Sequence, residues 1–265
     1  MSRHGIEISS RQRFEFGRNW ANFLAYLDDD RIRRAESSLQ EMLRTERLDG
    51  KTFLDAGSGS GLFSLAARRL GAVVRSFDYD PRSVACTDAL RRRYFPDDPG
   101  WTVESGSVLD EEYLRGLGQF DIVYSWGVLH HTGEMRLALG RVAPLVIPQG
   151  RLFLALYNDE GLKSRYWLHI KKFYVDMPLM RWPLLLIHAI YPLIPSLVFR
   201  ALTGRLNAAR GMSHWFDLVD WIGGYPFEVI SPEQVVDFYR TKGYFLDKIR
   251  TTNRLGCNEY VLIRQ

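Results

Sequence analysis

Residues 53–61 read Phe-Leu-Asp-Ala-Gly-Ser-Gly-Ser-Gly, and few stretches narrow a fold so far. A short apolar run ends in an acid, Asp55. Glycines follow at every second position, and an amphipathic helical pattern then runs from Leu62 to Leu70. This predicts a strand, a tight turn and a helix whose N-terminus aims main-chain N–H groups at whatever lies against the turn. The spacing separates two ligand classes. A pyrophosphate-binding turn takes G-x-G-x-x-G, with the third glycine three residues after the second. Here that position is Leu62, and the third glycine is Gly61. With Asp55 two residues before Gly57, the turn suits a nucleoside without a pyrophosphate, the acid facing an ammonium group.

The rest of the chain sets this unit in a larger sheet. Strands read at 52–56, 72–77, 101–105, 120–125 and 150–157, and helices near 61–70, 81–94, 110–115 and 134–143. Such alternation predicts an α/β fold with a parallel, doubly wound sheet, whose ligands lie outside the carboxyl ends of the strands. The second strand ends in Asp78-Tyr79-Asp80-Pro81. Asp78, at the strand tip, is placed to accept from ribose hydroxyls. Asp80, before Pro81, reads as the N-cap of the next helix. Near the end, a helix at 232–242 has Ser231 as its cap, and strands follow at 244–251 and 256–263. Ahead of the sheet, Phe16, Trp20, Phe23, Leu24 and Leu27 recur at helical spacing, as do Leu39, Met42 and Leu43, with a break at Asp28-Asp29-Asp30.

Four motifs in order carry a family resemblance. They are Asp55-x-Gly57-x-Gly59-x-Gly61, Phe77-Asp78-Tyr79-Asp80-Pro81, Gly106-Ser107-Val108-Leu109-Asp110, and Phe120 to His131. Together they resemble the class I S-adenosylmethionine-dependent methyltransferases, most like the branch that contains the ubiquinone-biosynthesis O-methyltransferases. The resemblance covers roughly residues 50 to 157 strongly. It implies a Rossmann-like seven-stranded sheet with a terminal antiparallel hairpin, N-terminal helices and a helical lid insertion. It divides the chain into a helical cap at 1–50, a cofactor-binding core at 51–158 and 229–265, and a substrate lid at 159–228.

The resemblance also implies a cofactor, S-adenosylmethionine, leaving as S-adenosylhomocysteine, and a set of contacts. Asp55 would meet the ammonium, with Gly57, Ser58, Gly59 and Gly61 lining the turn. Asp78 would hold the ribose, and Tyr79 would stack beside the adenine. Relatives often offer the adenine amino group an acid after the third strand; Ser107 stands there instead, which leaves the backbone of Val108. The Ser125-Trp126 loop would pass under the methionine part. Arg18 and Trp20 either cover the cofactor or simply pack their helix.

Methyl transfer to a hydroxyl needs alignment and a proton acceptor. His130 and His131, after the fourth strand, suit that task near neutral pH; packing or capping of the following loop is the other reading of this pair. His214, with Asp217 three residues on, is the rival base. The chain lacks the Asn-Pro-Pro-aromatic run of amino-directed enzymes, and neither cysteine stands in the region directly after the fourth strand: Cys86 reads as helical and Cys257 as the start of a strand. An oxygen acceptor on a small, hydrophobic or ring-containing molecule is expected, such as a quinol, phenol, polyketide, sugar or lipid. Tyr157, Asn158, Tyr166, Trp215, Asp217, Trp221 and Tyr225 are the candidate substrate contacts. No metal is expected, although Asn158, Asp159 and Glu160 form an alternative cation site.

From Trp182 to Phe199 no residue is charged, while Lys171, Lys172, Arg181 and Arg200 flank the run. Its length approaches a membrane span, but Pro183, Pro192 and Pro195 interrupt a single helix. A lid, a peripheral membrane or lipid contact, and a homo-oligomer interface all fit. The net charge of +4 is spread along the chain, so nucleic acid is not an expected partner. An RNA- or protein-modifying enzyme would need a contiguous basic face. A cofactor-binding scaffold without turnover would keep Asp55 and Asp78 yet show no pocket beside the sulfonium methyl. Two cysteines, Cys86 and Cys257, and a polar start without a visible signal peptide fit a cytoplasmic setting, in solution or peripheral to a membrane.

Overall fold

A computed structural model of the chain describes Phe16, Gly17, Trp20, Leu24 and residues 27–188, 221–252 and 255–265. The elements in order are α1 (Asp29–Leu43), β1 (Thr52–Ala56), α2 (Leu62–Arg69), β2 (Val73–Asp78), α3 (Pro81–Tyr94), β3 (Trp101–Ser105) and α4 (Glu111–Leu117). Then come β4 (Phe120–Trp126), α5 (Met135–Val142), β5 (Val146–Tyr157), α6 (Leu162–Asp176), α7 (Pro232–Arg240), β6 (Tyr244–Arg250) and β7 (Cys257–Arg264). The expected caps form: Asp80 accepts from Arg82 N–H and Ser231 makes a capping box with Gln234. The acidic break resolves into an N-cap, Asp28, with Asp29 and Asp30 in the first turn of α1, where they meet the positive end of the helix dipole.

The strands form one seven-stranded sheet in the order β3-β2-β1-β4-β5-β7-β6. β1 pairs in parallel with β2 and β4, while β7 runs antiparallel to β5 and β6. The chain winds outward from β1 to β3, then returns to β4 on the other side of β1. That reversal opens a crevice at the strand tips, where Asp55, Asp78 and Trp126 lie. β5 starts at Val146, earlier than the sequence suggests. Its pairing with β4 jumps from Phe120–Val146 to Ile122–Arg151, so Ile147-Pro-Gln-Gly150 loops out of a strand that resumes beyond it. Gln149, at φ 62°, supplies the turn that read as a strand boundary.

Each face of the sheet is covered. Leu39 of α1, Leu65 of α2 and Leu90 of α3 pack on one side. Leu114 of α4, Leu139 of α5 and Val235 of α7 pack on the other. Burying each such side chain stabilises the fold by about 1.5–3 kcal/mol. A third apolar cluster joins Tyr174 and Val175 of α6 to Leu184, Leu185 and Ile222. Residues 181–188 are helical, so the described part of the 159–228 stretch is helical apart from its loops. The rest of the 182–199 run lies outside the described residues. Among those described, no helix is long and apolar enough to cross a membrane.

Candidate active site

The glycine turn is built from main-chain hydrogen bonds. Gly57 and Ser58 both donate N–H to the Phe77 carbonyl, at 2.9 and 3.0 Å. Gly59 adopts φ 55°, a left-handed conformation that a side chain would strain, and donates its N–H to Asp78 Oδ2 at 2.9 Å. Asp78 Oδ1 accepts from Asp80 N–H at 2.8 Å. Asp78 is thus locked at the tip of β2 while its partly exposed carboxylate keeps the capacity to accept further bonds.

Trp20 lies directly over this turn: a Cβ on Gly59 would sit 3.2 Å from its indole ring. Asp80 explains the placement. Besides capping α3, it accepts from Gly17 N–H at 2.8 Å. A Cβ on Gly17 would stand 2.4 Å from that carboxylate oxygen, so only glycine brings the N-terminal segment this close. Arg18 lies outside the described residues.

Asp55 is 2% exposed and sits at the end of a buried polar chain. Trp101 Nε1 donates to Ser76, Ser76 and Ser64 share a hydrogen bond of 2.8 Å, and Ser64 donates to Asp55. The indole can only donate, so every hydroxyl in the chain points toward the carboxylate. Burial is the main force on Asp55 and pushes its pKa up to about 7, with the nearby Asp78 charge adding to it. A cation arriving here would be met by a carboxylate already short of solvation.

The remaining strand tips complete the crevice. Ser107 accepts from Leu109 N–H and so shapes its own turn, with Val108 buried beside it. Ser125 is buried and donates to the Ala56 carbonyl, tying β4 to β1. Trp126 donates its indole N–H to Glu259 at 2.9 Å and packs toward the same apolar cluster as Trp20. Tyr79 is half-buried beyond Asp78.

The two histidines after β4 are hydrogen-bonded through Nδ1 in opposite senses. His131 Nδ1 lies 2.6 Å from the Pro226 carbonyl oxygen, which can only accept. The proton is therefore on Nδ1, and Nε2 carries the lone pair. His130 Nδ1 instead accepts from Tyr157 N–H at 3.3 Å, so its proton sits on Nε2. That Nε2 is buried with no hydrogen-bond partner. Burial, with help from the charges on His131 and Lys171, holds His130 well below the usual imidazole range. His131 differs in that its neutral ring carries the lone pair on Nε2. Its ring packs against Phe16, with centroids 4.9 Å apart.

Of the other sequence candidates, Tyr157 and Trp221 join this corner. Their ring centroids are 5.5 Å apart, and Tyr157 also contacts both histidines. Tyr225 is partly buried and packs at the edge of the third cluster. Tyr166, half exposed, pairs its hydroxyl with His188 Nε2 at 3.1 Å. Asn158 has both ends of its amide engaged, by Glu160 and by Asn258. His214, Trp215 and Asp217 lie outside the described residues. Among the described residues, no group of three or more His, Cys, Asp or Glu side chains could hold a metal ion. Sequence reading missed Ser64, Ser76, Trp101 and Pro226, which carry no motif of their own. It also set Lys171 among the flanking charges, whereas Lys171 is fully buried.

A sequence profile described as a methyltransferase domain matches residues 27–209, more than half of the chain. The chain belongs to this methyltransferase family. Its strand order and glycine turn are those of the class I methyltransferases. The ubiquinone biosynthesis O-methyltransferase of Escherichia coli strain K12 is 32% identical over 127 residues, covering 47% of this chain and 49% of that one. The methyltransferase thus spans about half the length of the curated relatives it matches. Among solved structures, magnesium protoporphyrin IX methyltransferase from Synechocystis PCC 6803 with bound S-adenosylhomocysteine has a TM-score of 0.54 at 15% identity, covering 88% of this chain and 83% of that one. The 1,6-didemethyltoxoflavin-N1-methyltransferase of Burkholderia thailandensis gives 0.51 at 16% identity, covering 90% and 80%. At these identities the structural likeness is one of fold.

Proposed function

We propose that this methyltransferase moves the methyl group of S-adenosylmethionine to a hydroxyl oxygen of a small hydrophobic or ring-containing molecule, with His131 as the base. The observation that carries the reading is the hydrogen bond between His131 Nδ1 and the Pro226 carbonyl, which makes Nε2 the basic nitrogen of the neutral ring. The similarity to a ubiquinone O-methyltransferase supports an oxygen acceptor.

The residues fit the cofactor. The main chain of Gly57 and Gly59 admits close approach, and Asp78 is held at the β2 tip to accept from ribose hydroxyls. Asp55 offers a desolvated acid for the ammonium, which would draw it into its charged form. Tyr79, Ser107 and Val108 line the adenine side, while Ser125 and Trp126 border the methionine side. Trp20 closes the turn from above. When bound, the sulfonium supplies an electrophilic methyl carbon. The protein aligns the acceptor with it, and His131 Nε2 takes the hydroxyl proton. The Pro226 carbonyl then stabilises the imidazolium through Nδ1–H. Alignment accounts for about 7–11 kcal/mol in favourable systems and a base for roughly 10²–10⁴-fold.

The described parts of the 159–228 stretch, residues 159–188 and 221–228, serve as a lid over the acceptor. Tyr157, Trp221 and Phe227 give it an aromatic floor. Leu179, Trp182 and Ile187 are exposed apolar side chains that suit a hydrophobic acceptor or the lipid surface carrying it. Transfer of label from S-adenosylmethionine to a panel of phenols, quinols, sugars and hydroxylated lipids tests the reading. Label on oxygen, lost in His131→Gln, is the expected result. Label only on nitrogen or carbon would overturn it.

A further inference from the structure

Lys171 stands on α6, one turn after Trp167, and is 0% exposed. Lysine is almost never fully buried unless paired, because desolvating an ammonium costs several kcal/mol. Its Nζ donates to the Trp221 carbonyl. It also lies 4.5 Å from the Trp221 ring centroid, 4.8 Å from that of Phe227 and 5.8 Å from that of Tyr157. Such contacts return about 2 kcal/mol when desolvated. These contacts tie the ammonium to side chains and main chain from three separate parts of the chain.

What the three rings touch suggests the use of Lys171. The Tyr157 ring centroid is 3.9 Å from that of His130 and 5.3 Å from that of His131. Phe227 follows Pro226, whose carbonyl fixes the His131 tautomer. One ammonium therefore joins three segments around the histidines: α6, residues 221–227 and the end of β5.

We propose that Lys171 is a positioning residue for methyl transfer. Seated among Tyr157, Trp221 and Phe227, its ammonium holds the first helix of the 159–228 stretch against the histidine corner and keeps the two imidazoles in their opposed orientations. The inference rests on the reading of His131 as the base. The ionisable groups around His130 agree with it. His131 adjoins it on the same turn, Tyr157 faces it from β5, and the Lys171 charge acts on it from α6. Glu228, whose N–H donates to the His130 carbonyl, turns its carboxylate to Met135 N–H instead.

The test compares the full chain with Lys171→Met and Lys171→Arg by imidazole nitrogen NMR across about pH 5 to 9, thermal melting and titration with S-adenosylhomocysteine. Lys171→Met should bind S-adenosylhomocysteine within about twofold of wild type, because the glycine turn is untouched. Its His130 and His131 signals should move, and His130 should take up a proton at higher pH. With an acceptor from the panel, kcat should fall on the order of 10²-fold while KM for S-adenosylmethionine holds. Lys171→Arg should restore the wild-type imidazole signals. Wild-type imidazole spectra in Lys171→Met, whatever its melting temperature, would overturn the proposal and leave Lys171 as packing. If Lys171→Met does not fold, displaced imidazole signals in a folded Lys171→Arg would overturn it equally. Full turnover by His131→Gln sinks the base reading instead, and leaves the imidazole comparison to decide Lys171 separately.

Discussion

The Nδ1 of His131 lies 2.6 Å from the carbonyl oxygen of Pro226, a residue 95 positions further along the chain. A carbonyl cannot donate, so this one contact decides which imidazole nitrogen is basic. His131→Gln should lower kcat by roughly 10²–10⁴-fold. Affinity for S-adenosylhomocysteine should stay within about twofold, because the glycine turn is untouched. His130→Gln should cost less, since the buried His130 offers no basic nitrogen. Steady-state kinetics of both variants with one acceptor will check this. Equal losses would mean that the pair acts as a unit.

Asp55 makes stability depend on pH with a definite sign. Its folded pKa of about 7 lies above its ordinary 3.8, so the folded protein binds the proton more tightly. The contribution of Asp55 to the stability of the apoprotein should be greatest at or below the unfolded value. That contribution should fall as pH rises toward 7, by up to about 4 kcal/mol, with no further loss from this group above. Asp55→Asn should flatten that slope, because Ser64 can still donate to the amide oxygen. Urea unfolding at low and high pH measures it. Cofactor affinity in the wild type should change the other way, rising as Asp55 ionises.

Gly17 is the hinge pin of the N-terminal segment. Gly17→Ala would push its Cβ into Asp80, breaking the bond that seats Trp20 over Gly59. The melting temperature should fall little, since Leu27 and the α1 core are anchored separately. Dissociation of S-adenosylhomocysteine, followed by stopped-flow tryptophan fluorescence, should quicken about tenfold, which corresponds to about 1.4 kcal/mol. An unchanged rate would show that Trp20 does not hold the cofactor.

Asn258 should prove a structural residue. It is 1% exposed, accepts from Thr252 N–H at 2.8 Å and donates to Asn158 at 3.0 Å. Asn258→Ala would leave these groups unmatched at a cost of about 1–3 kcal/mol. Chemical denaturation should show that loss in the midpoint. This bond explains the Cys257-Asn258-Glu259 run, which on its own suggests no chemistry. Asn258 locks the turn onto the end of β5, and Glu259 holds Trp126 and Arg250.

The amino-acid sequence determined the sheet, the glycine turn and the positions of Asp55, Asp78 and the histidine pair. Each is carried by local rules: strand and helix periods, cap chemistry, and acids at strand tips. Tertiary structure decided what those groups can do. The opposed tautomers need a carbonyl from the far end of the 159–228 stretch and an N–H from β5. The raised pKa of Asp55 comes from burial beneath Ser64, Ser76 and Trp101, which no spacing announces. Lys171 passes for a flanking surface charge until three rings from distant segments close around it. Desolvation and hydrogen-bond direction depend on which distant atoms surround a group, and only the folded chain supplies them.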